Sequence, residues 1–86
     1  MFYVYLIQSI ENPDKKYIGY TISLKDRLEK HNSGGSLHTA KYKPWELVMF
    51  LGFKQESAAI AFEKYLKSGS GNAFAKKRLW FKSSSR

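Results

Sequence analysis

The sequence of 86 residues contains no cysteine, which excludes a disulfide framework and a zinc–thiolate site. Its apolar runs are short, and Gln8 interrupts the first of them, so no run is long enough to span a membrane. The N-terminus also lacks the basic region and the small-residue cleavage site of a secretory signal. These absences predict a cytoplasmic protein without membrane attachment, and the length predicts a single domain.

Acidic residues are also scarce. The chain has 7 Asp and Glu against 15 Lys and Arg, a formal net charge of +8, and no acidic residue follows Glu63. A small domain with this balance is typical of proteins that bind a polyanion, so nucleic acid is the first partner to consider. The alternative is a basic surface that serves only solubility.

The first 21 residues predict a β-hairpin. Aromatic and β-branched residues fill Phe2–Gln8 and Lys16–Thr21, and Asn12-Pro13-Asp14 between them suits a turn. The first strand is apolar on both faces, which predicts a central strand covered on both sides. The hairpin also holds four tyrosines, whose hydroxyls need partners wherever they are buried.

The segment after the hairpin predicts a short helix with two misplaced polar residues. Ser23 begins a capping box, so we expect a helix over Leu24–His31. At helical spacing, Arg27 and His31 fall beside the leucines of the buried side rather than opposite them. This placement indicates a functional site. The alternative is that Arg27 extends past the core to solvent and that His31 is favoured at the helix C-terminus by the helix dipole.

The middle of the chain predicts one loop and one strand. Residues 32–44 are polar and contain glycine, so we expect a loop over one face of the domain. Trp45 to Phe53 is almost continuously apolar, which predicts a further strand in a sheet covered on both faces.

The C-terminal third predicts two helices. Between Gln55 and Ser68, apolar residues recur at helical spacing, at Ala58, Ala61, Phe62, Tyr65 and Leu66. Gly69 should end this helix, and Ser68–Asn72 should form a tight connector. Glu63 falls at the rim of the apolar stripe, where it could reach a cleft or simply be solvated like most helical glutamates.

The last predicted helix runs from Ala73 to about Phe81. Its expected inward residues are Phe74, Leu79 and Trp80, and its expected outward residues are Lys76, Lys77 and Arg78. The element order β-β-α-β-α-α predicts an α+β fold, with a small three-stranded, mainly antiparallel sheet flanked by helices. We expect one domain over residues 1–82, a frayed tail over residues 83–86 and a monomer.

Several of these residues together resemble the GIY-YIG endonuclease superfamily. They are Tyr3-Val4-Tyr5 and Tyr17-Ile18-Gly19 on the hairpin, Arg27 and His31 on the next helix, and Glu63 on a later one. His31–Gly34 and Leu66–Gly71 resemble stretches of its small stand-alone bacterial members. Tyr3 departs from the signature, because it stands where the first glycine would be.

The resemblance implies a nuclease that cuts phosphodiester bonds in DNA with one divalent metal ion, Mg²⁺ or Mn²⁺. It implies that Tyr5, Tyr17, Arg27 and His31 are catalytic and that Glu63 binds the metal. Tyr17 would be the general base, with His31 as a possible second contributor, and Arg27 would contact phosphate oxygens. The lack of any Asp-x-Asp or Glu-x-Lys cluster argues against a two-metal nuclease.

Two questions stay open at the level of sequence. The domain could instead bind nucleic acid without cutting it, using a basic and aromatic surface. DNA is favoured over RNA, and a role on branched DNA in repair or recombination is one option. The candidate nucleic-acid-binding residues are Lys41, Lys43, Lys67, Lys76, Lys77 and Arg78.

Overall fold

A computed structural model describes residues 1–80 as one antiparallel sheet with helices on both faces. The elements are β1 (Phe2–Ser9), β2 (Lys16–Thr21), α1 (Leu24–Asn32), α2 (Leu37–Ala40), β3 (Trp45–Phe53), α3 (Glu56–Lys67) and α4 (Gly69–Arg78). The strand order is β2-β1-β3, and both pairings are antiparallel. The predicted α+β fold with three strands is therefore confirmed, whereas the predicted tail over residues 83–86 lies outside the described residues.

Strand β1 lies at the centre of the sheet and separates two apolar cores. Val4 and Leu6 face α3 and α4, whereas Tyr5 and Ile7 face α1, and all four are at most 2% exposed. Side chains alternate across a strand, so an apolar residue at every position is what a strand covered on both sides requires. The prediction of a covered central strand is confirmed.

Strand β3 departs from its prediction, because it is an edge strand and not a covered one. Its side chains are mostly exposed or half-buried, and Phe50 remains 48% exposed despite an edge contact with the Tyr3 ring. Helices α1 and α3 reach only part of a sheet of three strands. The apolar run in Trp45–Phe53 therefore did not indicate that part of β3 would stay exposed to solvent.

The predicted loop over residues 32–44 contains a short helix, α2. A single turn is too short to show any hydrophobic period, so no pattern in the sequence indicates it. Trp45 closes this segment onto the core: its indole Nε1–H donates to the Thr39 carbonyl at 2.8 Å, and its backbone exchanges two hydrogen bonds with the Asn32 amide. This anchoring buries Thr39, which is 1% exposed.

Helix α3 is rotated from its predicted orientation by about one residue. Ala59 and Leu66 are fully buried and Phe62 is half-buried, whereas Ala58, Ala61 and Tyr65 are exposed, which corrects the predicted apolar stripe. At 100° per residue, Glu63 lies about 40° from the direction of Ala59 and about 60° from that of Leu66, beside the buried side of the helix. The rotation therefore moves this carboxylate from the rim of the stripe toward the sheet.

Helix α4 begins at Gly69, so the predicted connector Ser68–Asn72 is mostly helical. The Ser68 hydroxyl caps the new helix by accepting from the Gly71 N–H, and a Cβ atom at Gly71 would overlap the Tyr65 carbonyl. Because the two helices approach this closely, Ala75 takes the buried position, and Phe74 is exposed instead of packed inward. Leu79 and Trp80 pack against the core, as predicted.

Candidate active site

Tyr5 is the centre of a hydrogen-bonded cluster between the sheet and α1. The pleat of β1 points its side chain away from the α3 core, and the residue is 2% exposed. Its hydroxyl lies 2.8 Å from His31 Nε2 and accepts a hydrogen bond from Arg27 Nε–H at 3.2 Å. Arg27 and His31 are one helical turn apart, so one face of α1 carries both partners.

His31 continues the cluster inward to a residue that the sequence did not predict. The ring is fully buried, and its Nδ1 lies 2.6 Å from Thr39 Oγ1. Burial lowers the pKa of His31 below its ordinary value, and the positive charges of Arg27 and Lys30 lower it further. The imidazole is therefore neutral at pH 7, so one ring nitrogen donates and the other accepts.

The tautomer of His31 decides which way the Tyr5 hydroxyl points. If Nδ1–H donates to Thr39, then Nε2 accepts the Tyr5 proton. If the Thr39 hydroxyl donates to Nδ1, then Nε2–H donates to Tyr5, whose own proton is free to point outward. Thr39 thus belongs to the site. It was not predicted from the sequence because it is on the short helix α2, which was not predicted either.

Burial and charge keep Tyr5 neutral and Arg27 charged. Burial is the largest cause that raises the pKa of Tyr5, the hydrogen bond and charge of Arg27 oppose it, and Tyr17 and Glu63 add to the rise. The hydrogen bond to Tyr5 is the main cause that raises the pKa of Arg27. The site therefore holds a neutral phenol beside a permanent cation.

Tyr17 on β2 connects this cluster with α3. Its ring centroid lies 5.2 Å from that of His31 and 6.3 Å from that of Tyr5. On its other side, Lys67 Nζ lies 5.7 Å from the centroid of the Tyr17 ring and 2.7 Å from Glu63 Oε2. The five residues predicted as catalytic or metal-binding thus lie in one continuous region.

Glu63 fits the part of a single protein ligand to a divalent cation. Its side chain is 19% exposed, and its partner Lys67 is on a flexible stem that can move aside. Within residues 1–80, no group of three or more His, Cys, Asp or Glu side chains could hold a metal ion. Mg²⁺ is commonly held by one or two carboxylates together with waters and substrate phosphates, so one carboxylate is compatible with it.

Gly19 belongs to the site although it carries no side chain. It pairs with Tyr5 across β1 and β2, and a Cβ atom there would overlap the Tyr5 hydroxyl and ring. The bare backbone of β2 is what leaves room for the Tyr5 side chain. The glycine in the Tyr17-Ile18-Gly19 motif was the feature of the sequence that indicated this contact. Its role is steric, because it leaves space for Tyr5.

We predict that Gly19→Ala displaces the Tyr5 ring and destabilises the fold by about 1–3 kcal/mol, the usual cost of an extra methyl group in a packed core. Urea denaturation measures this change. Gly69→Ala is the matched control, because a Cβ atom there meets no other described group within 4 Å, and its effect should stay within about 1 kcal/mol. Equal stability of the two variants would contradict the close contact between Gly19 and Tyr5.

A cleft of about 1140 Å³ extends from Tyr17 along the surface between the hairpin turn and α4. Three lysines line it: Lys67 and Lys76, which the sequence predicted, and Lys16, which it did not. Lys77 and Arg78 are exposed elsewhere on the described surface. Lys41 and Lys43 are exposed beside α2, where Lys41 Nζ lies 5.7 Å from the centroid of the Tyr42 ring.

A neutral phenol, a fixed guanidinium and a nearby carboxylate beside a basic cleft define an enzyme site for an anionic substrate. The family model of the GIY-YIG catalytic domain matches residues 1–78 of the chain. The chain therefore belongs to the GIY-YIG family, which confirms the resemblance seen in the sequence. No helix among residues 1–80 is long and apolar enough to cross a membrane.

Relatives of two kinds are similar to this chain. A structure-specific endonuclease subunit SLX1 homolog of Giardia intestinalis is 37% identical over 65 residues, which is 71% of this chain and 18% of that protein. An SLX1 subunit of Candida dubliniensis is 39% identical over 71 residues, 74% of this chain and 25% of that protein. The chain thus spans a quarter or less of the length of these two relatives.

The second kind is close to this chain in size. A UPF0213 protein of Pediococcus pentosaceus is 36% identical over 67 residues, which is 77% of this chain and 68% of that protein. The solution NMR structure of a UPF0213 protein from Bacillus halodurans has a TM-score of 0.52 and 27% identity, with 92% of this chain and 87% of that chain covered. This similarity supports the fold described above.

Proposed function

We propose that this domain is a metal-dependent endonuclease that hydrolyses phosphodiester bonds in DNA, with a preference for branched or otherwise irregular structures. The observation that carries the proposal is the cluster of Tyr5, Arg27 and His31, which Tyr17 links to Glu63. The relatives named as structure-specific endonuclease subunits support the choice of substrate.

Arg27 is the proposed contact for the phosphate. Its Nε–H is engaged by Tyr5, so its two terminal amino groups would meet the phosphate oxygens as a planar fork. Fixed donors aimed at developing negative charge are commonly the largest contribution to catalysis, because they need no reorganisation during the reaction. Tyr5, which is 2% exposed, holds the guanidinium in place from below the surface.

Tyr17 is the proposed general base for the attacking water. Its half-buried ring borders both the cluster and the cleft, and Lys67 and Arg27 lie near it as cations. His31 is fully buried, so it cannot touch the water itself. We assign His31 to positioning: together with Thr39 it orients the Tyr5 hydroxyl.

Glu63 is the proposed protein ligand of the metal ion. In this role its carboxylate would give up its ion pair with the Lys67 ammonium and hold the cation, and waters and substrate phosphate would be the other ligands. A bound divalent ion would supply positive charge to stabilise the phosphate and its leaving oxygen.

The experiment that tests this function is a cleavage panel. Branched, nicked, single-stranded and duplex DNA, with RNA of the same sequences, are incubated with the protein in Mg²⁺, Mn²⁺ or Ca²⁺. The proposal expects cuts in branched DNA with Mg²⁺ or Mn²⁺ that stop when the metal is chelated. Binding of every substrate without any cut would favour the non-catalytic binding module instead.

We predict that Lys76 contributes to DNA binding more than its neighbour Lys77. Lys76 lines the cleft and Lys77 does not, although both are exposed on the last turns of α4. Loss of one phosphate contact lowers affinity and reduces the slope of log K against log salt by about 1. Lys76→Ala should show this change in titrations at several salt concentrations, and Lys77→Ala should show less.

Equal losses of DNA affinity in Lys76→Ala and Lys77→Ala would contradict a contact between Lys76 in the cleft and a DNA phosphate. They would indicate that DNA affinity depends on total charge alone.

A further inference from the structure

The cleft beside the active site holds more than positive charge. It begins at Tyr17 and Lys67, which also belong to the catalytic region, and reaches Trp80 beyond the end of α4. Its lining includes two apolar residues that are exposed, Ile10 and Pro13. A site for phosphate alone would not need apolar and aromatic lining residues.

Trp80 is the aromatic residue at the far end of the cleft. Its side chain packs against the core yet is only half-buried, and Lys16 Nζ lies 5.7 Å from the centroid of its ring. Lys16 also donates to the Pro13 carbonyl at 3.0 Å. Among residues 1–80, the ring thus packs against the core and has the Lys16 ammonium group beside it.

We propose that this cleft binds an unpaired nucleotide next to the scissile phosphate, with its base stacked on Trp80. Lys16 and Lys76 would hold the phosphates of that nucleotide, and the side-chain amide of Asn72 could meet the edge of its base. Asp14 and Glu46 also line the cleft, and because carboxylates repel phosphate, the phosphates would lie at the lysines. The inference deepens the proposed function and rests on it.

An unpaired nucleotide fits better than a continuous duplex. The faces of paired bases are covered by their neighbours, so a duplex offers a protein only groove edges and backbone. An accessible indole beside lysines is the combination that single-stranded nucleic acids use, through stacking and phosphate contacts. A cleft of about 1140 Å³ is also large enough for a nucleotide together with retained water.

Tryptophan fluorescence gives a direct readout, because the chain has two tryptophans in different environments. Trp45 is 4% exposed and hydrogen-bonded, so a base can stack only on Trp80. Binding of a short single-stranded DNA in Ca²⁺ should quench the emission of the wild-type protein. Trp80→Leu, which keeps an apolar side chain, should lose the quenching and bind about tenfold more weakly.

Two further variants separate stacking from folding. Trp80→Phe retains a ring and should bind within about threefold of wild type, because every aromatic face can stack on a base. Phe50→Leu removes an exposed aromatic side chain on β3, outside the cleft, and should leave binding of the single strand unchanged. Melting temperatures show whether each variant is folded.

The outcomes distinguish this inference from the proposed function. Branched DNA that is cut normally by folded Trp80→Leu would overturn the stacking site and leave the nuclease proposal intact. Quenching and the tenfold loss in a protein that cuts nothing would support the site and overturn the nuclease. Equal loss of affinity for a fully paired duplex would also contradict the inference, because a duplex has no base to stack.

Discussion

Glu63→Gln should abolish metal-dependent cleavage. The amide keeps the shape of the carboxylate but lacks its charge, and Glu63 is the carboxylate whose charge acts on Tyr5. Loss of a direct ligand should exceed the about 10- to 100-fold effects seen for groups around metal ligands. Single-turnover cleavage of branched DNA with Mg²⁺ measures the rate.

Folding should be nearly unaffected by this change. The substitution removes only the i,i+4 ion pair with Lys67, and such helical pairs are worth about 0.3–0.5 kcal/mol. Glu56→Gln is the matched control, because it removes the same charge from the first turn of the same helix. A Glu63→Gln protein that cuts as fast as the control would remove Glu63 from the mechanism.

Arg27→Ala should slow cleavage by at least about 100-fold, the loss typical of one fixed donor to a developing charge. The side chain is the only arginine on α1, and its guanidinium is already oriented by Tyr5. Arg27→Lys should recover part of the rate, because it restores a charge without the planar fork. Rates come from the same single-turnover assay, with DNA binding measured separately in Ca²⁺.

Lys25→Ala serves as the control for this prediction, because it removes an exposed cation from the same helix. Its rate should equal that of the wild-type protein. If Arg27→Ala and Lys25→Ala cut equally well, the guanidinium has no part in the chemistry and only supports Tyr5.

The hairpin and α1 could be predicted well because their signals are local. Apolar residues on both faces marked β1 as central, and a capping serine placed the start of α1. Arg27 and His31 stood out because helical spacing set polar groups beside core leucines. Such conflicts with a local rule tend to concentrate at functional sites, and here they indicated the cluster of Tyr5, Arg27 and His31.

The parts that could not be predicted depend on tertiary contacts. Thr39 is on a single helical turn without a period of its own, and its burial follows from the Trp45 anchor. The orientation of α3 is set by close packing against Gly71, which a hydrophobic stripe cannot reveal. The cleft lined by Trp80 joins residues from five elements and the hairpin turn, so no single stretch contained it.

Single-turnover cleavage of one end-labelled branched DNA, assayed across chromatography fractions in Mg²⁺, tests the central claim most directly. Wild-type and Glu63→Gln proteins are purified side by side, and each fraction is also assayed after chelation. The account predicts cuts that rise and fall with the wild-type protein peak and are absent from the variant and from chelated fractions. Cleavage at equal rates in both preparations, or none in wild-type fractions that bind the DNA, would contradict it.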